Sequence, residues 1–219
     1  MHRLQKYILD RLRLEQPLSY SDMLPKDVVS SHFQYHLKSL QNEGLIQKES
    51  RGQYLLTHAG QAALEYMSMG RDTPVRMPKV ITYTLLTHGD QLLLLRKQKE
   101  PYRNCLEPVA GKIHFGEDAS DAAQRELYEK IGLHTQRPTL RGTANMLITK
   151  DGEPLTHMTV YAHTLELTEL PAPMPNNMVM VPKSSIEAQK DLVPGTLQLI
   201  RALLQNRQEP FVLDIQAEF

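Results

Sequence analysis

The sequence predicts an α+β protein of two unlike parts: a small helical unit carrying a β-hairpin, then a larger sandwich of strands and helices. Three observations carry this reading. Apolar residues recur at three- and four-residue spacing through the first third of the chain. From residue 79 onward, apolar β-prone runs such as VITYTLLT and QLLLLRKQ take over. Between them lies MGRDTPVRMPK at 69–79, with Gly70, Pro74 and Pro78 and no apolar period, which is linker chemistry. The expected divisions are residues 1–70, a linker at 71–78, and residues 79–219.

Composition excludes several classes. A chain of 219 residues with 41% hydrophobic content can bury one large core or two small ones, so wholesale disorder is not expected. Lys plus Arg (25) equals Asp plus Glu (25), so the whole chain is neither a polycation for nucleic acid nor a basic membrane binder. The longest strongly apolar run, LLLL at 92–95, is far short of the roughly 20 residues of a membrane span. The opening MHRLQKYILDRLRLEQ mixes charged and apolar residues and lacks the apolar block of a signal peptide. A single cysteine, Cys105, excludes an internal disulfide and a multi-cysteine metal cluster, and a reducing cytoplasm is expected.

In the first part, Leu4, Ile8 and Leu12 mark an amphipathic helix over residues 2–14. Ser19 to Asp22 supplies a cap for a brief second helix. Phe33, Leu37 and Leu40 set the face of a third, over 28–43, which Gly44 terminates. LIQKES and QYLL flank Arg51-Gly52 as a hairpin, and Thr57 caps a last helix, HAGQAALEYM. This order resembles a winged helix-turn-helix, with the likeness spread over residues 1 to about 68. The resemblance implies that double-stranded DNA would meet Ser30, Ser31, His32, Gln34 and Tyr35 in its major groove, with Lys38 and Arg51 at phosphates. It also implies a homodimer, which would let two such helices span two half-sites. Residues 1–72 carry nine basic and eight acidic groups, a modest balance for phosphate neutralisation, so a dimerisation or protein-holding role stands beside the DNA-binding one.

In the second part, HGD separates the first two strands, and LRGTANMLIT, LTHMTVYAHTLEL and NMVMVP supply three more, the first two joined by the turn KDGEP. A helix begins near residues 118–121, a further helical stretch opens at Ser184 or Ser185, and GTLQLIRALLQN closes the series. The segment ELPAPMPNN at 169–177 is a candidate pocket rim. His114 and His134 lack metal-ligand partners at a recognisable spacing, and Cys105 has no catalytic partner in the pattern.

One segment carries the chemistry. GKIHFGEDASDAAQRELYEKIGL (111–133) is similar to the Nudix signature G-x5-E-x7-R-E-U-x-E-E-x-G-U, where U is aliphatic. Gly111, Glu117, Arg125, Glu126, Leu127, Glu129, Gly132 and Leu133 match at the family's spacing, and Lys130 stands where the second glutamate of the E-E pair belongs. The resemblance covers about residues 79–207 and implies a Nudix α/β/α sandwich with a mixed sheet. It further implies a hydrolase that splits a nucleoside diphosphate linked to another group, with Mg²⁺ or Mn²⁺.

By that resemblance, Glu126 binds metal or helps activate water, Glu129 is a metal ligand, and Glu117 supports the loop or reaches an outer metal. Arg125 orients the loop–helix–loop, its side chain expected to point away from the acidic face, and the Gly111 carbonyl is a candidate ligand. Lys130 and Arg96 are candidate contacts to substrate phosphate. Replacing carboxylate by ammonium changes the local charge by two units, each worth on the order of 4 kcal/mol at about 4 Å and an effective dielectric near 20. A lysine stem can instead hold its ammonium in water. Two functions therefore stay open: a hydrolase with a retuned metal site, or a regulator whose Nudix domain binds a nucleotide-like metabolite without turning it over.

Overall fold

The computed structural model describes residues 1–65, 77–134, 137–205 and 209–219. The chain divides into two compact units, Met1–Arg76 and Met77–Phe219. Except for Met77 and Pro78, the expected linker at 71–78 lies outside the described residues, as do the last two residues of HAGQAALEYM.

The first unit runs α1 (Arg3–Leu14), β1 (Leu18–Ser19), α2 (Tyr20–Met23), α3 (Ser30–Asn42), β2 (Ile46–Lys48), β3 (Gln53–Leu56) and α4 (His58–Glu65). Its strands form a small antiparallel sheet in the order β1-β3-β2. Ile8, Leu9 and Leu12 of α1 pack with Phe33, Leu37 and Leu40 of α3 in one core, as the helical spacing requires. α3 begins two residues later than expected, because Val29 is extended and acts as its N-cap. It ends as expected: Gly44 takes φ 70°, and the Leu45 and Gly44 amides donate to the Leu40 and Gln41 carbonyls, closing a Schellman motif. Thr57 caps α4 by accepting from the Gly60 amide at 3.0 Å. The helices, hairpin and order are compatible with the expected winged-helix arrangement.

The second unit is a mixed sheet between helices. In order, its strands are β4 (Lys79–His88), β5 (Gln91–Arg96), β6 (Leu106–Glu107), β7 (Val109–Lys112), β8 (Thr139–Lys150), β9 (Glu153–Glu166), β10 (Met178–Pro182) and β11 (Phe211–Glu218). They pair as β10-β5-β4-β9-β8-β11, with β6 on β5 and β7 on β4. β4 and β9 are parallel, as are β8 and β11, and the other pairs are antiparallel.

Alternation along the strands explains the leucine run. Leu85, Leu92 and Leu94 join the core that holds Leu199, Ile200 and Leu203 of α6 (Thr196–Leu204). Leu86, Leu93 and Leu95 join the core that holds Leu127 and Ile131 of α5 (Ala119–Ile131). A strand covered on both faces needs apolar residues at every position, and LLLL satisfies that. The stretch opened at Ser184 and Ser185 is a 3₁₀ turn, Lys183–Ala188, rather than an α-helix.

Sequence patterning missed the short strands β1, β6 and β7 and the whole of β11. Phe211 and Ile215 of β11 are buried while Val212 and Asp214 between them face out, so the period-2 signal is present. Phe211 is 5% exposed in the main core. Phe211→Ala should lower stability by about 3–5 kcal/mol, read as a fall in denaturation midpoint with an unchanged slope.

Candidate active site

β7 pairs antiparallel with β4 and leads into the loop before α5. Asp118 caps α5 by accepting from the Ser120 amide at 2.8 Å, and the helix stops at Gly132, whose φ is 66°. His163 on β9, fully buried, ties the start of this helix to the sheet. One ring nitrogen lies 3.2 Å from the Ser120 hydroxyl and the other 3.1 Å from the Thr82 hydroxyl. Burial pushes its pKa down.

The helix face presents acids and bases in alternation, and Arg125 sits at their centre rather than pointing away. Its Nε and Nη2 donate to the two oxygens of Glu117 at 2.7 and 2.9 Å, a bidentate pair. Its Nη1 donates to Glu126 Oε1 at 2.8 Å and lies 3.4 Å from both oxygens of Glu129, while Nη2 also donates to the Lys112 carbonyl at 2.9 Å. Hydrogen bonding to Glu117 in the first place, then to Glu126, raises the guanidinium pKa further. Glu117 also accepts from the His114 amide at 2.9 Å. The Arg125 bonds, with that amide, hold the Glu117 carboxyl down at about 2.

Glu126 is the deepest of the three acids, 7% exposed, whereas the Glu129 side chain is half exposed. Glycine at 111 is obligatory for that depth: a Cβ there would stand 1.7 Å from Glu126 Cδ. The carboxylate therefore lies against the backbone of β7.

Lys130 is one turn further along the same face. Its ammonium donates to the Ala110 carbonyl and lies 3.6 Å from Glu126 Oε2. The side chain stays partly exposed, but its ammonium turns back toward Glu126. With Arg125 and Lys130 against Glu117, Glu126 and Glu129, the cluster carries a formal charge of −1.

Gly111 and Lys130 open onto a cleft of about 170 Å³, also lined by Lys79, Lys97, Lys112 and Glu107. Glu107, 8% exposed, accepts from Lys97 Nζ at 2.8 Å and from the Tyr83 hydroxyl at 3.1 Å. Burial, then the Glu107 charge, pushes the Tyr83 phenol well above its usual range. Glu107 and Tyr83 escaped sequence reasoning because no spacing motif contains them; four lysines gather around one cleft only when β4, β7, the segment after β5 and α5 come together. A second cleft, of about 690 Å³, runs from Lys130–Leu133 along residues 169–176, so the proline-rich segment does form a rim. Arg96 is not among the residues lining either cleft; it pairs with Asp191 at 2.7 Å and donates to the Asn104 carbonyl.

In the first unit, Ser31, His32, Gln34, Tyr35 and Lys38 are all exposed on α3, and Arg51 is exposed in the turn between β2 and β3 with φ 74°. Ser30 is also exposed, and its hydroxyl lies 2.8 Å from that of Tyr20.

A mixed sheet between helices, with a loop and helix presenting Glu117, Arg125, Glu126 and Glu129 from one side, defines the Nudix class of fold. The chain belongs to the Nudix family, whose NUDIX domain matches residues 75–203. A 71-residue segment is 35% identical to human 8-oxo-dGDP phosphatase NUDT18, covering 31% of this chain and 22% of that protein. The chain thus matches about a fifth of that relative's length. The structure is similar to a MutT protein from Bacillus halodurans, with a TM-score of 0.50 and 19% identity over 63% of this chain and 89% of that one. It also resembles the NUDIX domain of Shewanella oneidensis NrtR complexed with ADP ribose, with a TM-score of 0.49 and 14% identity over 68% and 97% of the two chains. None of the described helices is long and apolar enough to cross a membrane.

Because the folded pKa of Glu117 lies below its ordinary value of 4.5, its contribution to stability is present above that pH and is lost as pH falls toward about 2. Denaturation across this window should show the loss, on the order of 1 kcal/mol for a partly exposed pair. Glu117→Gln should flatten that part of the pH profile.

Proposed function

We propose that this chain is a cytoplasmic Nudix hydrolase that uses Mg²⁺ or Mn²⁺ to split the diphosphate of a nucleoside-diphosphate-type substrate. The observation that carries the reading is the buried Glu126 carboxylate, seated against Gly111, which itself lines a cleft bearing four lysines. The lysines fit a polyanion.

The donor set fits one hard divalent ion. A cluster of formal charge −1 with two carboxylates able to turn toward one point suits Mg²⁺, which usually takes one or two carboxylates and keeps several waters. Glu126 and Glu129 would hold it, with the Gly111 carbonyl as a further donor. The ion would neutralise the diphosphate and lower the pKa of bound water.

The chain's own groups do the rest. Glu126 accepts the proton of the attacking water, a P–O bond to that water forms, and the anhydride P–O bond breaks. Glu117, which already accepts three hydrogen bonds from Arg125 and the His114 amide, holds the loop in place rather than binding an ion. Arg125 positions Glu126 and Glu129. Lys130 gives up the Ala110 carbonyl for a substrate phosphate, and Arg96 contributes only to long-range steering. The matched segment of the 8-oxo-dGDP phosphatase makes nucleoside diphosphates the first substrates to try.

A second reading is favoured by Lys130, whose ammonium already stands beside Glu126. In it the Nudix domain binds such a ligand without turnover, and the first unit, as a winged-helix homodimer, holds double-stranded DNA through the exposed face of α3 and Arg51.

Phosphate release coupled to phosphatase and pyrophosphatase, with nucleoside di- and triphosphates, nucleotide sugars and dinucleotides as substrates, separates the two. Wild type should turn over at least one substrate with Mg²⁺ or Mn²⁺. Glu126→Gln should lose about a hundredfold or more, as expected when several kcal/mol of transition-state stabilisation go. Gly111→Ala should lose activity to a similar extent, because the new methyl occupies the place of the Glu126 carboxylate. Silence of the wild type across the panel, with turnover gained in Lys130→Glu, would transfer the case to the second reading.

A further inference from the structure

The first unit contains a polar cluster of which the second reading uses only the exposed His32. His32 and His36 lie one turn apart on α3, with their Nε2 atoms 3.1 Å from each other. His2, the N-cap of α1, stacks on His36 at a ring-centroid distance of 4.0 Å. One ligand nitrogen from each of the three lies within 4.8 Å of the others. His36 is 7% exposed, while His2 and His32 are open to solvent.

Two donor atoms of a tetrahedral zinc site, each about 2.0–2.1 Å from the ion, are separated by about 3.3 Å. The His32–His36 spacing already meets that edge. Neutral imidazole is a preferred donor for zinc, and burial, with His2 and His32 nearby, holds His36 below the usual histidine pKa. A hydrogen bond alone would account for the pair, but not for a third histidine brought onto it from a different helix.

We propose that His2, His32 and His36 form a zinc site that clips α1 to α3, with a fourth position open to solvent on the side of His2 and His32. On binding, whichever of His32 and His36 carries its proton on Nε2 moves it to Nδ1, and both Nε2 lone pairs turn to the ion. The exposed His2 ring tilts out of its stack and releases the Leu4 amide, to which its Nδ1 now lies at 3.2 Å. The Gln5 side chain still accepts from the His2 amide at 2.8 Å, so half of the capping box survives. Because the ligands sit on two helices, zinc should stabilise the first unit, and His32 would then be withdrawn from any contact with DNA.

The site is independent of catalysis in the second unit, and the test keeps the two apart. Zn²⁺ is titrated by calorimetry into tag-free full-length protein in saturating Mg²⁺, with thermal unfolding followed in parallel. One tight equivalent and a raised midpoint are expected in wild type and equally in Glu126→Gln. His32→Ala, at an exposed position, should weaken binding at least about tenfold, since even outer-shell partners of metal ligands are worth that much. His2→Gln, whose side chain leaves α1 an N-cap acceptor, should do the same and guards against a folding defect in the first variant. Unchanged Zn²⁺ affinity in both histidine variants, or its loss in Glu126→Gln instead, would overturn the proposal.

Discussion

The guanidinium of Arg125 is the interaction on which the rest of the acidic cluster depends. One planar group bonds Glu117 twice, Glu126 once and the Lys112 carbonyl once, and lies near both oxygens of Glu129. Its fixed fork ties the end of β7, the loop and two turns of α5 into a single unit. A lysine at this position would supply one point charge and leave several of those acceptors unpaired. Glycine at 111 completes the arrangement by leaving room for Glu126 against the strand.

Lys130 changes the charge of this unit more than its shape. Its stem spans one helical turn, so its ammonium arrives beside Glu126 Oε2 and the Ala110 carbonyl while the side chain stays partly exposed. A carboxylate there would add to an acidic cluster; the lysine offsets it. The cluster keeps a formal charge of −1 in consequence. The surrounding lysines of the cleft extend the same positive field.

The first unit is organised differently, by polar groups inside an apolar frame. Gln5, 8% exposed on α1, donates to Ser39 Oγ and Glu43 Oε1 on α3, so the helix contact has a polar seam alongside its leucines. The three histidines lie in the same contact between α1 and α3. Such groups are costly to bury without partners, and each here has one, which aligns the two helices in one register.

Local pattern determined a great deal by itself. The α1 and α3 faces, the stop at Gly44, the cap at Thr57 and the Nudix spacing from Gly111 to Leu133 are all short-range features, decided within a few residues by helix period, cap chemistry and backbone freedom. The same spacing argument put Glu126 and position 130 on one face, and they do meet. It failed for Arg125, because a residue adjacent to that face reaches back across it when a loop carboxylate and a strand carbonyl wait there. β11 went unread because its partner, β8, lies some 70 residues earlier in the chain, at Gly142 to Thr149. Glu107, Tyr83 and the lysines of the cleft meet through strand pairing and the seating of α5 on the sheet, and the histidine cluster through packing of two helices. Sequence period reaches only as far as one helix or strand; which side chains face each other across elements is decided when the sheet pairs and the cores close.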